Sequence, residues 1–257
     1  MTHGSRITGA IDAISPVRPR RQGWIAVIGC AVVLAASLDA WRRGPTVPVA
    51  PVRADGADGV AQLPSPSDEV AVFSGGCFWG IQAVFEHVRG VTSATSGYTG
   101  GNATTATYDE VSTSTTGHAE SVRVTFDPKR VSYADLLKVF FTVHDPTELD
   151  RQGPDEGTQY RSVVWYSSDA QRLAAEAAIR QLSAAKTFSR PIVTQVAPLH
   201  GFYVAEGYHQ DYFVHNPDAP YIVINDKPKV ERLKVALPTL YSETPVLYAA
   251  ATATATK

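Results

Sequence analysis

The chain has 257 residues, 44% of them hydrophobic, and a formal net charge of -2 at pH 7, which suits a globular protein with one sizeable core. This near-neutral charge supplies no broad electrostatic footprint for nucleic acid, whose binding proteins need clustered Lys and Arg to neutralise phosphates, so we expect no nucleic-acid partner. The two cysteines, Cys30 and Cys77, are too few for a framework of internal disulfides.

The first 43 residues have the pattern of an export segment. Arg20 and Arg21 precede an apolar run over residues 23–38 (GWIAVIGCAVVLAASL), and Arg42 follows it. The run is short for a membrane-spanning helix, which needs about 20 apolar residues. A cleaved signal peptide and a retained anchor both remain open. We expect an exported protein, either periplasmic or attached to the membrane and facing the outside.

A lipid anchor is a third, less favoured reading of this segment. Residues 27–30 (VIGC) resemble a lipoprotein cleavage box in which Cys30 would be lipidated. The apolar stretch continues past Cys30, which argues against this reading.

Two further segments lack the pattern of folded structure. Residues 44–66 are rich in Pro, Ala, Gly and Asp without hydrophobic periodicity, which predicts a disordered linker. Residues 239–257, which end in an Ala/Thr run, are predicted to be a disordered tail. The folded domain is therefore expected over residues 67–238.

Within that domain the predicted elements are strands mixed with amphipathic helices. Residues 69–73 (EVAVF) predict a strand, two glycines follow as a turn, and apolar residues then recur at helical spacing as far as Gly90. This mixture predicts an α+β protein with a sheet covered by helices on one side. The further elements are strands at 120–126, 162–166 and 192–197, a helix capped by Ser132, and a helix from a capping box of Ser168 and Gln171 to about Lys186.

Cys77 lies where the first strand turns into the first helix. A thiol becomes a useful nucleophile when its thiolate is stabilised, and the unpaired N–H groups at a helix start can do this. Gly76 and Gly80 would let a substrate approach, and Phe78 and Trp79 would form an aromatic wall. A lone Cys in an apolar stretch is more often an inert, buried residue. The surrounding motifs must therefore decide between these readings.

Residues 76–80 read GCFWG, which resembles the signature of the A-type peptide methionine sulfoxide reductases. GCFWG alone would be moderate evidence, but six further blocks follow in the order and at the spacing of that family, across nearly the whole predicted domain. The blocks are GYTGG at 97–101, TYDEV at 107–111, TGHAE at 116–120, HDP at 144–146, DEGTQYRS at 155–162 and YHQDY at 208–212.

The resemblance implies an enzyme that reduces the S epimer of methionine sulfoxide, free or in proteins, to methionine, and so repairs oxidised proteins. It also implies a two-layer α/β sandwich, with helices packed on a mixed sheet, and no metal or organic cofactor. The sulfoxide sulfur is electrophilic, but its oxygen leaves only after protonation. A nucleophile and an acid must therefore meet across the S–O bond.

The resemblance also assigns roles to residues of this chain. Cys77 matches the nucleophile that attacks sulfur, and Glu120 matches the acid that protonates or hydrogen-bonds the oxygen. The other matches are two hydroxyl donors to that oxygen, a further polar residue of the pocket and two residues that cage the methyl group: Tyr108 and Tyr160, Asp155, and Phe78 and Trp79. Without these motifs, Glu120 would be interpreted as a solvated charge and Asp155 as a turn residue. The aromatic residues would be interpreted as ordinary core or surface-to-core residues.

The chain departs from many family members in its thiols. Residues 216–238 contain none of the further cysteines that attack the sulfenic acid of the nucleophile, and Ser112 stands where some members have another Cys. Cys30 lies in the export segment and is a poor substitute. We therefore expect a thioredoxin-like protein or a small thiol to reduce Cys77 directly, in a monomeric enzyme.

Two other functions compete with this interpretation. A cysteine-dependent hydrolase or peroxidase could use the same thiol, but a hydrolase needs a His base beside the Cys, and the matching block offers an acid. A catalytically dead, membrane-tethered module that binds oxidised methionine would not need both Cys77 and Glu120. A metal site is not expected, because no spacing like that of HExxH relates the residues His118, His144, His209, Asp145 and Asp211. We expect the three histidines to make structural hydrogen bonds instead.

Overall fold

The computed structural model describes residues 67–248, so the predicted export segment and linker lie outside the described residues. Strands and helices alternate irregularly along this range, with short 3-10 turns at 103–105, 158–160 and 207–209 and a π-helical turn at Ile222–Asp226. The elements are β1 (Glu69–Gly75), α1 (Phe78–Glu86), β2 (Val91–Thr99), α2 (Tyr108–Val111), β3 (Ala119–Phe126), α3 (Tyr133–Val143), β4 (Arg151–Gln152), β5 (Asp155–Glu156), β6 (Ser162–Tyr166), α4 (Asp169–Ala184), β7 (Gln195–Pro198), β8 (Tyr203–Val204), α5 (Tyr212–His215) and α6 (Lys227–Ala236).

Six of the strands form one mixed sheet in the order β7-β6-β1-β3-β2-β8. Neighbouring strands are antiparallel except β6 and β7, which are parallel. The short strands β4 and β5 form a separate hairpin. Helices pack on this mixed sheet, so the predicted α+β class is confirmed.

The two faces of the sheet have different coverings, as the twofold alternation of strand side chains requires. Phe73 of β1 faces the helices, and its ring stacks on Phe85 of α1 at 5.2 Å and on Phe140 of α3 at 5.0 Å. Val72 points to the opposite face, in a second cluster with Trp165. The central strands are therefore buried on both faces, and this packing holds the residues at their ends in fixed positions.

The observed helix starts follow the predicted caps. The Ser132 side chain accepts the Asp135 N–H in a full capping box, and the Ser168 side chain accepts the Gln171 N–H. In the second case only half of the box forms, because the Gln171 side chain accepts the N–H of Ser167. Helix α1 ends at Glu86, four residues before the predicted stop at Gly90.

Strand β2 was not predicted. Its sequence, VTSATSGYT, is small and polar and has no clear alternation of apolar residues. It nevertheless pairs with β3 along its whole length, with an irregularity between Val91 and Ser93. Tertiary pairing therefore decides its conformation where local pattern does not. Strand β7 likewise begins at Gln195, three residues later than predicted.

The prediction of a disordered tail from residue 239 is wrong for residues 239–248. These residues form a strap across the end of α1, in which Tyr241 makes a β-bridge with Val88. The N–H of Val246 donates to the Glu86 carbonyl at 2.9 Å. The composition of this segment did not predict the strap, because its few anchoring residues, such as Tyr241, are separated by Pro, Ser and Thr.

Replacing Phe73 by Ala should lower the free energy of unfolding of the full chain by about 3–5 kcal/mol, because it removes a fully buried ring from the stack. Val70→Ala on the same strand is the matched control, since Val70 is 37% exposed, and should cost less than about 1 kcal/mol. Urea unfolding measures both. Equal losses for the two variants would contradict the proposed packing.

Candidate active site

The turn between β1 and α1 brings Cys77 to the edge of the sheet. Gly76 has a φ of +93°, which L side chains rarely adopt, and a Cβ at this position would lie 2.5 Å from Cγ of Gln152. Cys77 follows as the N-cap residue of α1. Glycine is therefore required both for the turn and for the close approach of the Gln152 side chain from β4.

The Cys77 thiol is buried, with 7% of the residue exposed. Burial raises the pKa of Cys77 well above its usual value, and the carboxyl groups of Glu120 and Asp226 raise it further. Lys229 and the N–H of Trp79 lower this pKa by smaller amounts. The predicted stabilisation of the thiolate by the helix start is present, because the Trp79 N–H lowers the pKa of Cys77, but it does not set the net direction of the shift. The helix does supply the Trp79 N–H, but desolvation of the anion outweighs it.

Glu120 lies beside the nucleophile in the same buried environment. It is 3% exposed, and its Oε2 accepts the N–H of Phe78, the residue next to Cys77, at 2.9 Å. Burial raises the pKa of Glu120 to about 8, against the lowering effect of the Phe78 N–H. The carboxyl group therefore carries its proton at neutral pH, as a proton donor must.

All seven residues that the sequence assigned to the site border one cavity of about 170 Å³. Six separate parts of the chain contribute to it: the start of α1, helix α2, strand β3, hairpin strand β5, the 3-10 turn at 158–160 and the residue before the π-helical turn at Ile222–Asp226. The lining residues are Cys77, Phe78, Trp79, Tyr108, Glu120, Asp155, Tyr160 and Tyr221.

The eighth lining residue, Tyr221, was missed at the level of sequence. It immediately precedes the π-helical turn, and its hydroxyl donates a hydrogen bond to Oδ2 of Asp155. Burial raises the pKa of Asp155, and the hydrogen bond from Tyr221 opposes that shift. Tyr221 carries no local motif of its own among residues 216–238. Only the return of the chain past β5 brings it to the cavity.

The aromatic wall is fixed by residues outside the cavity. The ring of Trp79 stacks on Tyr212 at a centroid distance of 3.8 Å, and its Nε1 donates to Nδ1 of His209 at 3.1 Å. The carboxylate of Glu206 accepts the N–H of Tyr108 at 2.9 Å and so fixes the start of α2. The loop 205–212 therefore positions both an indole and a phenol that face the cavity.

The histidines of the motif blocks make structural hydrogen bonds. Nε2 of His118 contacts the Asn102 carbonyl at 2.9 Å, and His144 contacts Ser162 Oγ at 2.8 Å. Burial lowers the pKa of His144 to about 4, so its ring is neutral at pH 7. Within residues 67–248 no group of three or more His, Cys, Asp or Glu side chains is arranged to hold a metal ion.

The comparisons with known proteins all identify similarity to the same family. The model of the family described as "Peptide methionine sulfoxide reductase" matches residues 69–239. The "Peptide methionine sulfoxide reductase MsrA 2" of Mesorhizobium japonicum is 54% identical over 184 residues, which cover 71% of this chain and 94% of that protein. The MsrA of Thermus thermophilus is 48% identical over 173 residues, covering 67% and 97%.

Solved structures agree in fold. Methionine sulfoxide reductase A of Corynebacterium diphtheriae has a TM-score of 0.54 and 33% identity, covering 61% of this chain and 80% of that chain. Reduced Mxr1 of Saccharomyces cerevisiae has a TM-score of 0.57 and 30% identity, covering 61% and 91%. The matched shares leave the flanks of this chain uncovered.

Iodoacetamide should alkylate Cys77 slowly at pH 7 in the native protein and faster only at a pH above the usual thiol range, because burial keeps the thiol protonated. Mass spectrometry of the peptide that contains Cys77 measures the rate separately from that of Cys30. The urea-unfolded chain is the control and should show the ordinary thiol pKa of about 8.5. Fast native alkylation at pH 7 would contradict a neutral resting thiol.

Proposed function

The chain belongs to the peptide methionine sulfoxide reductase family, and on that premise we propose that Cys77 and Glu120 carry out its chemistry. The protein is an oxidoreductase that reduces the S epimer of methionine sulfoxide to methionine. The observation that carries our assignment is the buried Glu120 carboxyl beside the Cys77 residue, with the pKa of Glu120 raised to about 8.

In the proposed reaction, the Cys77 thiol ionises and its sulfur attacks the sulfoxide sulfur, which forms an S–S bond. Glu120 protonates the sulfoxide oxygen, so the S–O bond can break and the oxygen leaves as hydroxide. That hydroxide bonds to the Cys77 sulfur and breaks the S–S bond, so methionine is released and a sulfenic acid forms. Two electrons have then passed from the thiol to the sulfoxide.

The other lining residues bind and polarise the substrate. Tyr108 and Tyr160 present hydroxyl groups to the cavity, where burial raises the pKa of both and keeps them protonated as donors to the sulfoxide oxygen. Phe78 and Trp79 contribute the apolar surface for the methyl group. Asp155, held by Tyr221, remains a polar acceptor at the rim of this surface.

Regeneration of Cys77 requires a thiol from another molecule. Cys77 is the free cysteine of the described residues, and the other cysteine of the chain, Cys30, lies in the apolar export segment. A first external thiol attacks the sulfenic sulfur and releases water, and a second thiol reduces the mixed disulfide. We propose that a thioredoxin-like protein or a small thiol supplies both.

The pH profile of kcat/KM should be bell-shaped, with its optimum on the alkaline side of neutrality. The reactive state needs one proton on the Cys77–Glu120 pair, with the thiol ionised and the acid protonated. Activity should therefore rise as the pH approaches about 8, where the first proton leaves the pair. It should fall above the raised pKa of Cys77, where the second proton is lost.

Glu120→Gln tests the source of the alkaline fall. We expect kcat/KM to drop about 10²- to 10⁴-fold and the remaining activity to rise with pH without a fall. Reduction of a dabsylated S-sulfoxide with dithiothreitol measures both. Ser121→Ala, next on the strand, is a control for local packing. A wild-type profile in Glu120→Gln would refute the acid assignment.

A single turnover without reductant should leave one sulfenic acid on Cys77, since no second cysteine lies in the described residues. Trapping with dimedone followed by mass spectrometry detects it, and Cys77→Ser is the control that should give no adduct and no methionine. A disulfide between Cys77 and Cys30 in the full chain would contradict resolution by an external thiol.

We further propose that the protein is exported, on the evidence of the arginines and apolar run in residues 1–43. No helix among residues 67–248 is long and apolar enough to cross a membrane. N-terminal sequencing of the protein from separated membrane and soluble fractions distinguishes a cleaved signal from a retained anchor. Recovery of an intact chain with the cytosol would refute export.

A further inference from the structure

A buried ion pair lies behind the catalytic cavity and has no role in the chemistry described so far. Asp226 is fully buried, and its Oδ1 accepts a hydrogen bond from Nζ of Lys229 at 2.9 Å. The second oxygen, Oδ2, is buried without a hydrogen-bond partner. Lys229 is also largely buried, at 12% side-chain exposure. Such a pair costs desolvation energy that a surface pair avoids.

The pair lies directly against the first turn of the helix that bears the nucleophile. Gly80 is three residues after Cys77, and a Cβ at Gly80 would lie 2.1 Å from Oδ1 of Asp226 and 3.0 Å from Nζ of Lys229. Glycine thus lets the two charged groups reach the α1 backbone. The π-helical turn that ends at Asp226 is preceded directly by Tyr221, so one turn delivers both residues to this region.

We propose that Asp226 and Lys229 are a positioning pair for the catalytic thiol and acid. The pair docks the π-helical turn on the first turn of α1, and its two charges set in opposite directions how readily the thiol ionises. This inference rests on the proposed roles of Cys77 and Glu120. It assigns no contact with substrate to either residue of the pair.

The charges around Cys77 make the two members of the pair separable by experiment. The other groups that face the thiol are Glu120 from β3, Asp155 from β5, and the neutral phenols of Tyr108, Tyr160 and Tyr221. Asp226 raises the pKa of both Cys77 and Glu120. Lys229 lowers the pKa of Cys77, Glu120 and Asp155. The Lys229 cation therefore favours ionisation of the thiol, whereas the negative charges of the nearby carboxyl groups disfavour it.

The test is the pH midpoint of Cys77 alkylation in the full-length chain, measured by mass spectrometry of the Cys77 peptide. Asp226→Asn leaves Lys229 unopposed and should lower the midpoint by about one unit, whereas Lys229→Met removes the cation that favours the thiolate and should raise it by about one unit. A purely structural pair would move both midpoints in one direction or neither. Either of these results overturns the proposal.

Three further variants keep the test decisive if Lys229→Met folds poorly. The double variant D226N/K229M removes both charges and should return the midpoint of Cys77 alkylation to within a few tenths of a unit of wild type. The variant K229R keeps the positive charge and should have the wild-type midpoint. Lys234→Met is the matched control, because Lys234 on the same helix pairs with Glu243 at 2.8 Å on the surface. A shift in this control as large as that in Lys229→Met would refute a specific effect.

Activity separates failure of this inference from failure of the proposed function. If Cys77→Ser and Glu120→Gln abolish reduction while no midpoint moves, the pair is not a positioning pair and the proposed roles stand. If Cys77→Ser retains activity, the proposed function itself fails. For K229M, we expect kcat to fall at least about tenfold with KM within about twofold of wild type, since neither residue of the pair lines the cavity.

Discussion

Burial of a carboxyl group next to a thiol is the constraint on which the rest of the structure depends. Neither group can ionise cheaply in this environment, because charge in a poorly solvated cavity is penalised unless partners compensate for it. The N–H of Phe78 and the cation of Lys229 compensate only in part. In the resting site both the Cys77 thiol and the Glu120 carboxyl group are therefore protonated. Ionisation of the thiol leads to reaction only when a substrate oxygen can accept the proton of Glu120.

This arrangement demands a rigid surround, and the packing provides it. Strand β1 is buried on both faces, Trp79 stacks on Tyr212 and donates to His209, and the Glu206 carboxylate fixes the first residue of α2. Glycine at position 76 lets the chain turn sharply with Gln152 against it. A looser site would admit water, which would solvate the ionised forms and remove the pKa shifts that the chemistry needs.

The sequence allowed good prediction of local features and of the motif residues. Helix caps at Ser132 and Ser168 follow from side chains that act within three residues, and seven cavity residues follow from motifs at family spacing. Features decided by distant parts of the chain were missed: β2, whose small polar residues depend on β3 for pairing, Tyr221 and the strap at 239–248. The sequence showed that Cys77 lies at a helix start, which is visible locally, but not that burial dominates its pKa, because burial depends on the whole fold.

A cavity of about 170 Å³ around Cys77 has a kinetic consequence when the resolving thiol must come from outside. The oxidised substrate and the incoming reductant have to reach the same sulfur, so methionine must depart before reduction can begin. Turnover then alternates between two half-reactions in a ping-pong scheme. An excess of either reactant would bind the form of the enzyme that should react with the other reactant and so inhibit turnover. The rate of repair therefore depends on the ratio of oxidised protein to available reductant.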